Sequence, residues 1–186
     1  MSIYAFPADL PMPVDDGACD HLLGADVPAL VLDSSRGPVD LAAEAATRLV
    51  VYVYPRTGLP GRPSPDGWDA IPGARGCTPQ SCGFRDHAAE LDELGARVIG
   101  LSAQTLAEQI ELAERERMPF AVAADPERRL GGALGLPTFE FDGATLYKRV
   151  TLVAEERTIV KVFYPVFPPD RNAGEVVAWL NERSGA

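Results

Sequence analysis

Leu49-Val50-Val51-Tyr52-Val53-Tyr54 is a run of β-branched and aromatic residues with little polar alternation, the pattern of a central strand covered on both faces. A strand of that kind needs helices above and below it. Downstream, Phe84, His87, Ala88, Leu91 and Leu94 recur at helical spacing, with Gly95 placed to end the helix. Arg97 to Ser102 then reads as a short buried strand, and Gln104 to Arg117 as an amphipathic helix carrying Leu106, Ile110 and Ala113. Pro119 to Ala123 is strand-like, and Pro126 opens a short helix that ends in the glycines around Gly131 to Gly135. Leu146 to Val153 and Thr158 to Tyr164 flank the charged turn Ala154-Glu155-Glu156-Arg157 as a hairpin. A last helix runs from Asn172 to Glu182 with Val176, Val177, Trp179 and Leu180 on its apolar face. Strands alternating with helices in this order predict an α/β sheet with helices on both faces.

Upstream of the long strand the pattern is weaker. Residues 1–20 carry Pro7, Pro11, Pro13 and Asp15-Asp16-Gly17 without periodicity, which predicts a loosely ordered arm, with order beginning near Leu22. Pro28 to Leu32, a turn-like Asp33 to Pro38, and Val39-Asp40-Leu41 read as a short hairpin. The 186 residues, 46% hydrophobic, suit one globular domain over 21–186. No internal repeat or low-complexity tract interrupts it.

A formal net charge of -10, with Lys148 and Lys161 as the only lysines, argues against nucleic-acid or anionic-membrane binding, because phosphates are repelled on approach. Met1 to Pro13 lacks a basic start and a sustained apolar segment, and no stretch is long and apolar enough to span a bilayer. The chain therefore reads as cytoplasmic. In a reducing cytosol, three cysteines make a poor structural framework, so a close pair points to redox or metal chemistry.

That pair is Cys77 and Cys82, in Gly76-Cys77-Thr78-Pro79-Gln80-Ser81-Cys82-Gly83-Phe84-Arg85-Asp86, where a Pro/Gly-rich loop gives way to a helix. Unpaired N–H groups and the positive end of the dipole at a helix start favour thiolate, the form that attacks peroxides and disulfides. Two geometries are open. If both cysteines are helical, their Cα atoms lie about 8.6 Å apart, beyond the roughly 7 Å a disulfide tolerates, so the first turn must unwind for a bond to form. If Thr78 is the N-cap and Pro79 the first helical residue, the thiols flank the helix entry and little motion is needed. A zinc site fits poorly: the spacing is wider than a zinc knuckle, and His87 leaves a tetrahedron incomplete. Two inert buried thiols are the bland alternative, and Cys19, standing alone, reads as a bystander.

With the strand ending at Tyr54, then Pro55, then the Cys-Thr-x-x-x-Cys-x-x-Arg-Asp run at 77–86, the chain resembles the peroxiredoxins, and within them the peroxiredoxin Q or bacterioferritin comigratory protein subgroup. The likeness extends to Gly24 to Leu41 as the family's N-terminal hairpin, Asp125 to Leu136 as its "Asp-Pro" helix, and Arg149 to Val153 as its late strand. It implies a thioredoxin-like fold, a central mixed sheet flanked by helices on both faces, and reduction of hydrogen peroxide or alkyl hydroperoxides without a cofactor or metal. By position, Cys77 is then the peroxidatic cysteine and Cys82 the resolving one. The sulfenic acid on Cys77 condenses with Cys82 to a disulfide that a thioredoxin-type donor reduces, in a monomeric enzyme. Arg149 matches the family arginine whose charge favours the thiolate and the charge developing on the peroxide. Lys148, on the other face of an alternating strand, cannot share that role.

The family pattern Pro-x-x-x-Thr/Ser-x-x-Cys is not met immediately upstream of Cys77, where Ala70 and Ala74 stand. Pro55 takes the proline's place, an insertion of about fifteen residues follows it, and Thr57 is the candidate for the missing hydroxyl. A loop as long as Pro55 to Gly76 is usually functional or mobile. Trp68 within it either packs over the site as a lid or anchors the loop to the core. Arg85 pairs with a neighbouring acid or joins the thiolate's surroundings, and His21 and His87 have no catalytic duty. Two other functions use the same cysteines: thiol–disulfide exchange without a peroxide step, and a redox sensor whose disulfide switches the 55–76 loop.

Overall fold

A computed structural model of the protein describes residues 9–185. In chain order its elements are strands β1 (Val31–Leu32) and β2 (Val39–Asp40), helix α1 (Leu41–Glu44), strand β3 (Arg48–Val53), helices α2 (Cys77–Asp86) and α3 (Ala88–Glu93), strand β4 (Arg97–Ser102) and helix α4 (Leu106–Arg115). There follow β5 (Ala121–Ala124), α5 (Arg129–Leu134), β6 (Thr138–Phe141), β7 (Ala144–Tyr147), β8 (Val150–Glu155), β9 (Thr158–Phe163) and α6 (Asn172–Ser184).

The central sheet has the order β5-β4-β3-β8-β9, with β3, β4 and β5 parallel and β8 and β9 antiparallel to their neighbours. The long apolar strand is its middle. Val50, Tyr52 and Tyr54 face a core built with Phe84 of α2, Leu91 of α3, Leu112 of α4 and Val176 and Leu180 of α6. Leu49, Val51 and Val53 face the opposite core with Leu41 of α1 and Leu130 and Leu134 of α5. Each face of β3 is thus sealed by apolar side chains, which is why its sequence lacks polar alternation.

The anticipated hairpin of 28–41 forms, but only two residue pairs of it are strand, and α1 follows at once because Asp40 Oδ1 accepts from the N–H groups of Ala42 and Ala43. The expected strand 146–153 is in fact two elements: β7 ends at Tyr147, and β8 begins at Val150. β7 pairs with β6, a strand the periodicity does not announce, across an Asp142-Gly143 turn in which both residues have positive φ, 50° and 73°. Asp-Gly is a strong hairpin signal of that turn type, and it was the clue available for β6.

Of the arm at 1–20, residues 1–8 lie outside the described residues. The remainder is tied down more firmly than its composition suggests. Asp16 pairs with Lys148 at 2.8 Å and accepts from the Tyr164 hydroxyl, and Cys19 sits in the core beside Leu22.

Asp125 locks α5 to the β6–β7 hairpin. Its carboxylate, 1% exposed, accepts from the N–H groups of Arg129 and Leu130 and from the Tyr147 hydroxyl at 2.7–2.9 Å. Asp125→Ala strands two buried donors and a part-buried one and is expected to cost about 3 kcal/mol, or a fall in Tm of roughly 6–12 °C by calorimetry. A fall under about 2 °C would show that water replaces the carboxylate there.

Candidate active site

Topology gathers the site at one end of the sheet. β3 runs out at Val53, which lies beside Val150, the first residue of its antiparallel neighbour β8. Arg149, in the break between β7 and β8, therefore stands at the same edge as the loop and helix that follow β3. Cys77 opens α2 there. Gly76 precedes it with φ of 105°, a left-handed conformation that favours glycine, and the helix starts without a side-chain cap. The alternative start at Pro79 is thereby corrected. Gly76, not Thr78, is the N-cap, Pro79 is the third helical residue, and both cysteines are helical. Proline is tolerated so early because the first N–H groups of a helix have no intrahelical acceptor to lose.

Cys77 is 3% exposed and a free thiol. Its S–H donates to the Ala74 carbonyl at 3.5 Å, and Nη2 of Arg149 donates to its sulfur at 3.2 Å. Arg149 is itself 4% exposed. Its guanidinium donates to the carbonyls of Gly73, Ala74 and Arg75 at 3.1–3.3 Å and to Gln80 Oε1. The final turn of the inserted loop is thus folded around the guanidinium. Gln80 passes the contact inward, donating to Asn172 Oδ1 at 3.0 Å, which also accepts from Thr151. Among the described residues no carboxylate bonds Arg149. The guanidinium meets neutral oxygens and the Cys77 sulfur.

Cys82, five residues on in the same helix, is in a different environment. Its S–H donates to Glu116 Oε2 at 3.3 Å, and the thiol is pushed up to about 12 by burial first, then by the hydrogen bond to Glu116 and that group's negative charge. Cys19 is also pushed up to about 12, chiefly by burial. Both thiols stay protonated when folded and ionise more easily when unfolded. The stability they contribute is complete below the unfolded thiol pKa, near 8.5, and is lost as pH climbs towards about 12. In Cys77→Ser, iodoacetamide at pH 8 is accordingly expected to leave both remaining thiols of the native protein intact. Prompt labelling of Cys82 at that pH would contradict this protonated state.

A cleft of about 640 Å³ opens over Cys77, lined by Thr57, Arg56, Trp68, Arg115 and Glu116 among others. Thr57 lines this cleft. Its N–H and hydroxyl both donate to Gln104 Oε1, at 2.8 and 3.2 Å, and its carbonyl accepts from Gln104 Nε2. Pro55 lines a separate apolar cavity of about 290 Å³ on another side of Arg149. Trp68 is buried against Phe139 and Phe141 of the β6–β7 hairpin, with Arg56 over its ring, so it anchors the loop while edging the cleft. Arg85 pairs with Asp86 and reaches Glu116. His21 bonds the Leu134 carbonyl, and His87 bonds Glu90.

Sequence reasoning passed over Gln80, Gln104, Asn172 and Glu116. Gln80 stands inside the cysteine run itself, and a buried polar residue between two reactive positions was the signal for it. The other three come from distant segments and left none.

The fold and the paired thiols define a thioredoxin-like thiol protein. The chain belongs to the redoxin family, whose model matches residues 22–177, and it is a peroxiredoxin of the Q/Bcp-like type. It is 28% identical over 159 residues to the chloroplastic peroxiredoxin Q of Sedum lineare, covering 84% of this chain and 76% of that one. It is 29% identical to the corresponding rice protein (Oryza sativa subsp. japonica), of whose length it spans 65%. The putative peroxiredoxin bcp of Haemophilus influenzae is 27% identical over 146 residues, 76% of this chain and 84% of that one. The crystal structure of peroxidoxin BcpB from Mycobacterium tuberculosis superposes with a TM-score of 0.70 at 25% identity, covering 86% of this chain and 96% of that one. The bacterioferritin comigratory protein of Xanthomonas campestris shares the fold, with a TM-score of 0.67 at 20% identity over 95% of this chain and 99% of that one. No helix among the described residues is long and apolar enough to cross a membrane.

Proposed function

We propose that the protein is a thiol peroxidase that reduces hydrogen peroxide and alkyl hydroperoxides through Cys77. The observation that carries this reading is the buried Arg149 guanidinium 3.2 Å from the Cys77 sulfur, with no carboxylate bonded to it among the described residues. The Cys77 sulfur, as thiolate, attacks one peroxide oxygen. The O–O bond breaks, the leaving oxygen departs as water or an alcohol after taking a proton, and Cys77 is left as a sulfenic acid. Arg149 stabilises the negative charge as it passes from sulfur to oxygen. Thr57, held by Gln104 at the cleft wall, keeps lone pairs with which to accept the hydrogen bond of the bound peroxide. Pro55, two residues past the end of β3, lines the apolar cavity that Arg149 also borders, and its part is structural.

Cys82 then attacks the sulfenic sulfur, forming a disulfide and releasing water. With both cysteines helical, their Cα atoms lie about 8.6 Å apart, so the first turn of α2 opens before the bond closes. A thioredoxin-type dithiol restores both thiols. Exposure favours a peroxide over a protein disulfide as the oxidant: Cys77 is 3% and Cys82 8% exposed, which admits a small peroxide and excludes another protein's sulfur until α2 has opened. The same reading takes the protein as a monomer, because both cysteines of the cycle lie in one helix, and as cytoplasmic, because a thiol cycle suits a reducing compartment. Mass spectrometry after one equivalent of hydrogen peroxide is expected to find Cys77 linked to Cys82; unlinked, unoxidised thiols would overturn the proposal.

A further inference from the structure

Glu116 bonds one of the two sulfurs and lines the cleft over the other, and the peroxidase chemistry above does not use it. It closes α4, its N–H bonded to the Leu112 carbonyl, and Arg117 after it turns the chain with φ of 54°. Its side chain is 12% exposed and held from two sides. Oε1 accepts from Arg115, and Oε2 lies 3.5 Å from Arg85 Nη1, which also donates to the Glu116 carbonyl at 3.0 Å. The same Oε2 accepts the Cys82 S–H at 3.3 Å, and the residue lines the cleft over Cys77. Two guanidinium groups therefore hold a carboxylate whose Oε2 meets the resolving sulfur.

We propose that Glu116 is the catalytic base of the resolving step, holding Cys82 in place and taking its proton as its sulfur attacks the Cys77 sulfenic acid. The inference rests on the peroxidase reading. Cys82 contributes the electron pair of the new S–S bond, the S–O bond of the sulfenic acid breaks, and the departing hydroxide takes up a proton to leave as water. The Cys82 proton passes to Glu116 Oε2 and from there to solvent or to the hydroxide, so no further oxidant or reductant enters. A thiol pushed up to about 12 has little thiolate at neutral pH, which is the condition under which a positioned base matters. The ionisable groups around Cys82 are Arg85 and Asp86 on its own helix, Glu116 with its partner Arg115 at the end of α4, and Tyr52 from β3.

Rapid-mix experiments on the full chain separate the two steps: loss of one equivalent of hydrogen peroxide reports sulfenic acid formation, and acid-quenched mass spectrometry reports the Cys77–Cys82 link. In Glu116→Gln the first step is expected to stay within about twofold of wild type while the link forms at least about tenfold more slowly at pH 7. Linking in this variant should then accelerate about tenfold per pH unit, as hydroxide replaces the base. Glu116→Asp, which keeps a carboxylate, should recover part of the linking rate. A wild-type linking rate in Glu116→Gln overturns the assignment, as does an equal slowing of both steps, which would mark a purely structural role. Failure of the wild-type protein to consume peroxide overturns the peroxidase reading itself, a result visible before any Glu116 variant is made.

Discussion

Cys77→Ser is expected to lower peroxide turnover with a thioredoxin system by at least about 10³-fold, equivalent to roughly 4 kcal/mol of barrier. A serine hydroxyl is not ionised near neutrality, and Arg149 beside it would then face a neutral oxygen instead of an anion. The partner variant behaves differently. Cys82→Ser should still consume one equivalent of hydrogen peroxide at close to the wild-type rate, because Cys77, Arg149 and the cleft are untouched. It should then stall with a sulfenic acid that a dimedone-type probe traps, and excess peroxide should drive it to the sulfinic acid. Coupled turnover and trapping assays on the two variants assign attack and resolution separately. Undiminished turnover in Cys77→Ser would refute the assignment, since Cys19 is buried on the other face of the sheet.

Arg149→Met should carry the second large effect, on two quantities at once. Removing the guanidinium takes its N–H donors from the carbonyls of Gly73, Ala74 and Arg75 and from Gln80 Oε1, leaving Ala74 the Cys77 S–H. Stranding several buried acceptors is expected to lower stability by about 3–5 kcal/mol in urea unfolding. The second-order rate of the first peroxide step should fall about 10²-fold or more, because the charge that meets the developing oxyanion is gone. Stability and charge are separable. Gln80→Met keeps the guanidinium but removes its inward support and leaves Asn172 Oδ1 with one donor fewer. It should therefore lose stability while retaining most of the peroxide rate. Arg149→Lys keeps the charge without the planar fork and should fall between the two. If Arg149→Met unfolds more readily yet reacts with peroxide at the wild-type rate, the guanidinium is a structural pin for the loop and no more.

The parts of this molecule that could be read without coordinates are those whose cause is local. β3 shows in the chain because a strand buried on both faces must be apolar at every position, and α4 shows because one face must be apolar and Thr105 with Glu108 forms a capping box. The paired cysteines were legible from their spacing at a helix start, and Arg149 only from the resemblance to the peroxiredoxins. The start of α2 was not, because Thr78-Pro79 and Gly76-Cys77 both offer acceptable helix entries. What favours the earlier one is the wrapping of Gly73, Ala74 and Arg75 around a guanidinium seventy residues downstream. β6 was missed for a related reason: its alternation is carried by half-buried aromatics whose burial comes from Trp68 in the inserted loop.

Local pattern in the chain therefore establishes the α/β order and singles out the Cys77 and Cys82 pair, while Arg149 is named only through the resemblance to the peroxiredoxins. Their working geometry has a different origin. Thr57 is held at the cleft by Gln104, the Cys82 thiol is kept protonated by burial and by Glu116, and among the described residues no carboxylate bonds Arg149, because segments far apart in sequence are packed into one low-dielectric volume. There, which polar groups meet is set by burial and hydrogen bonding across the fold, and no periodicity along the chain encodes it.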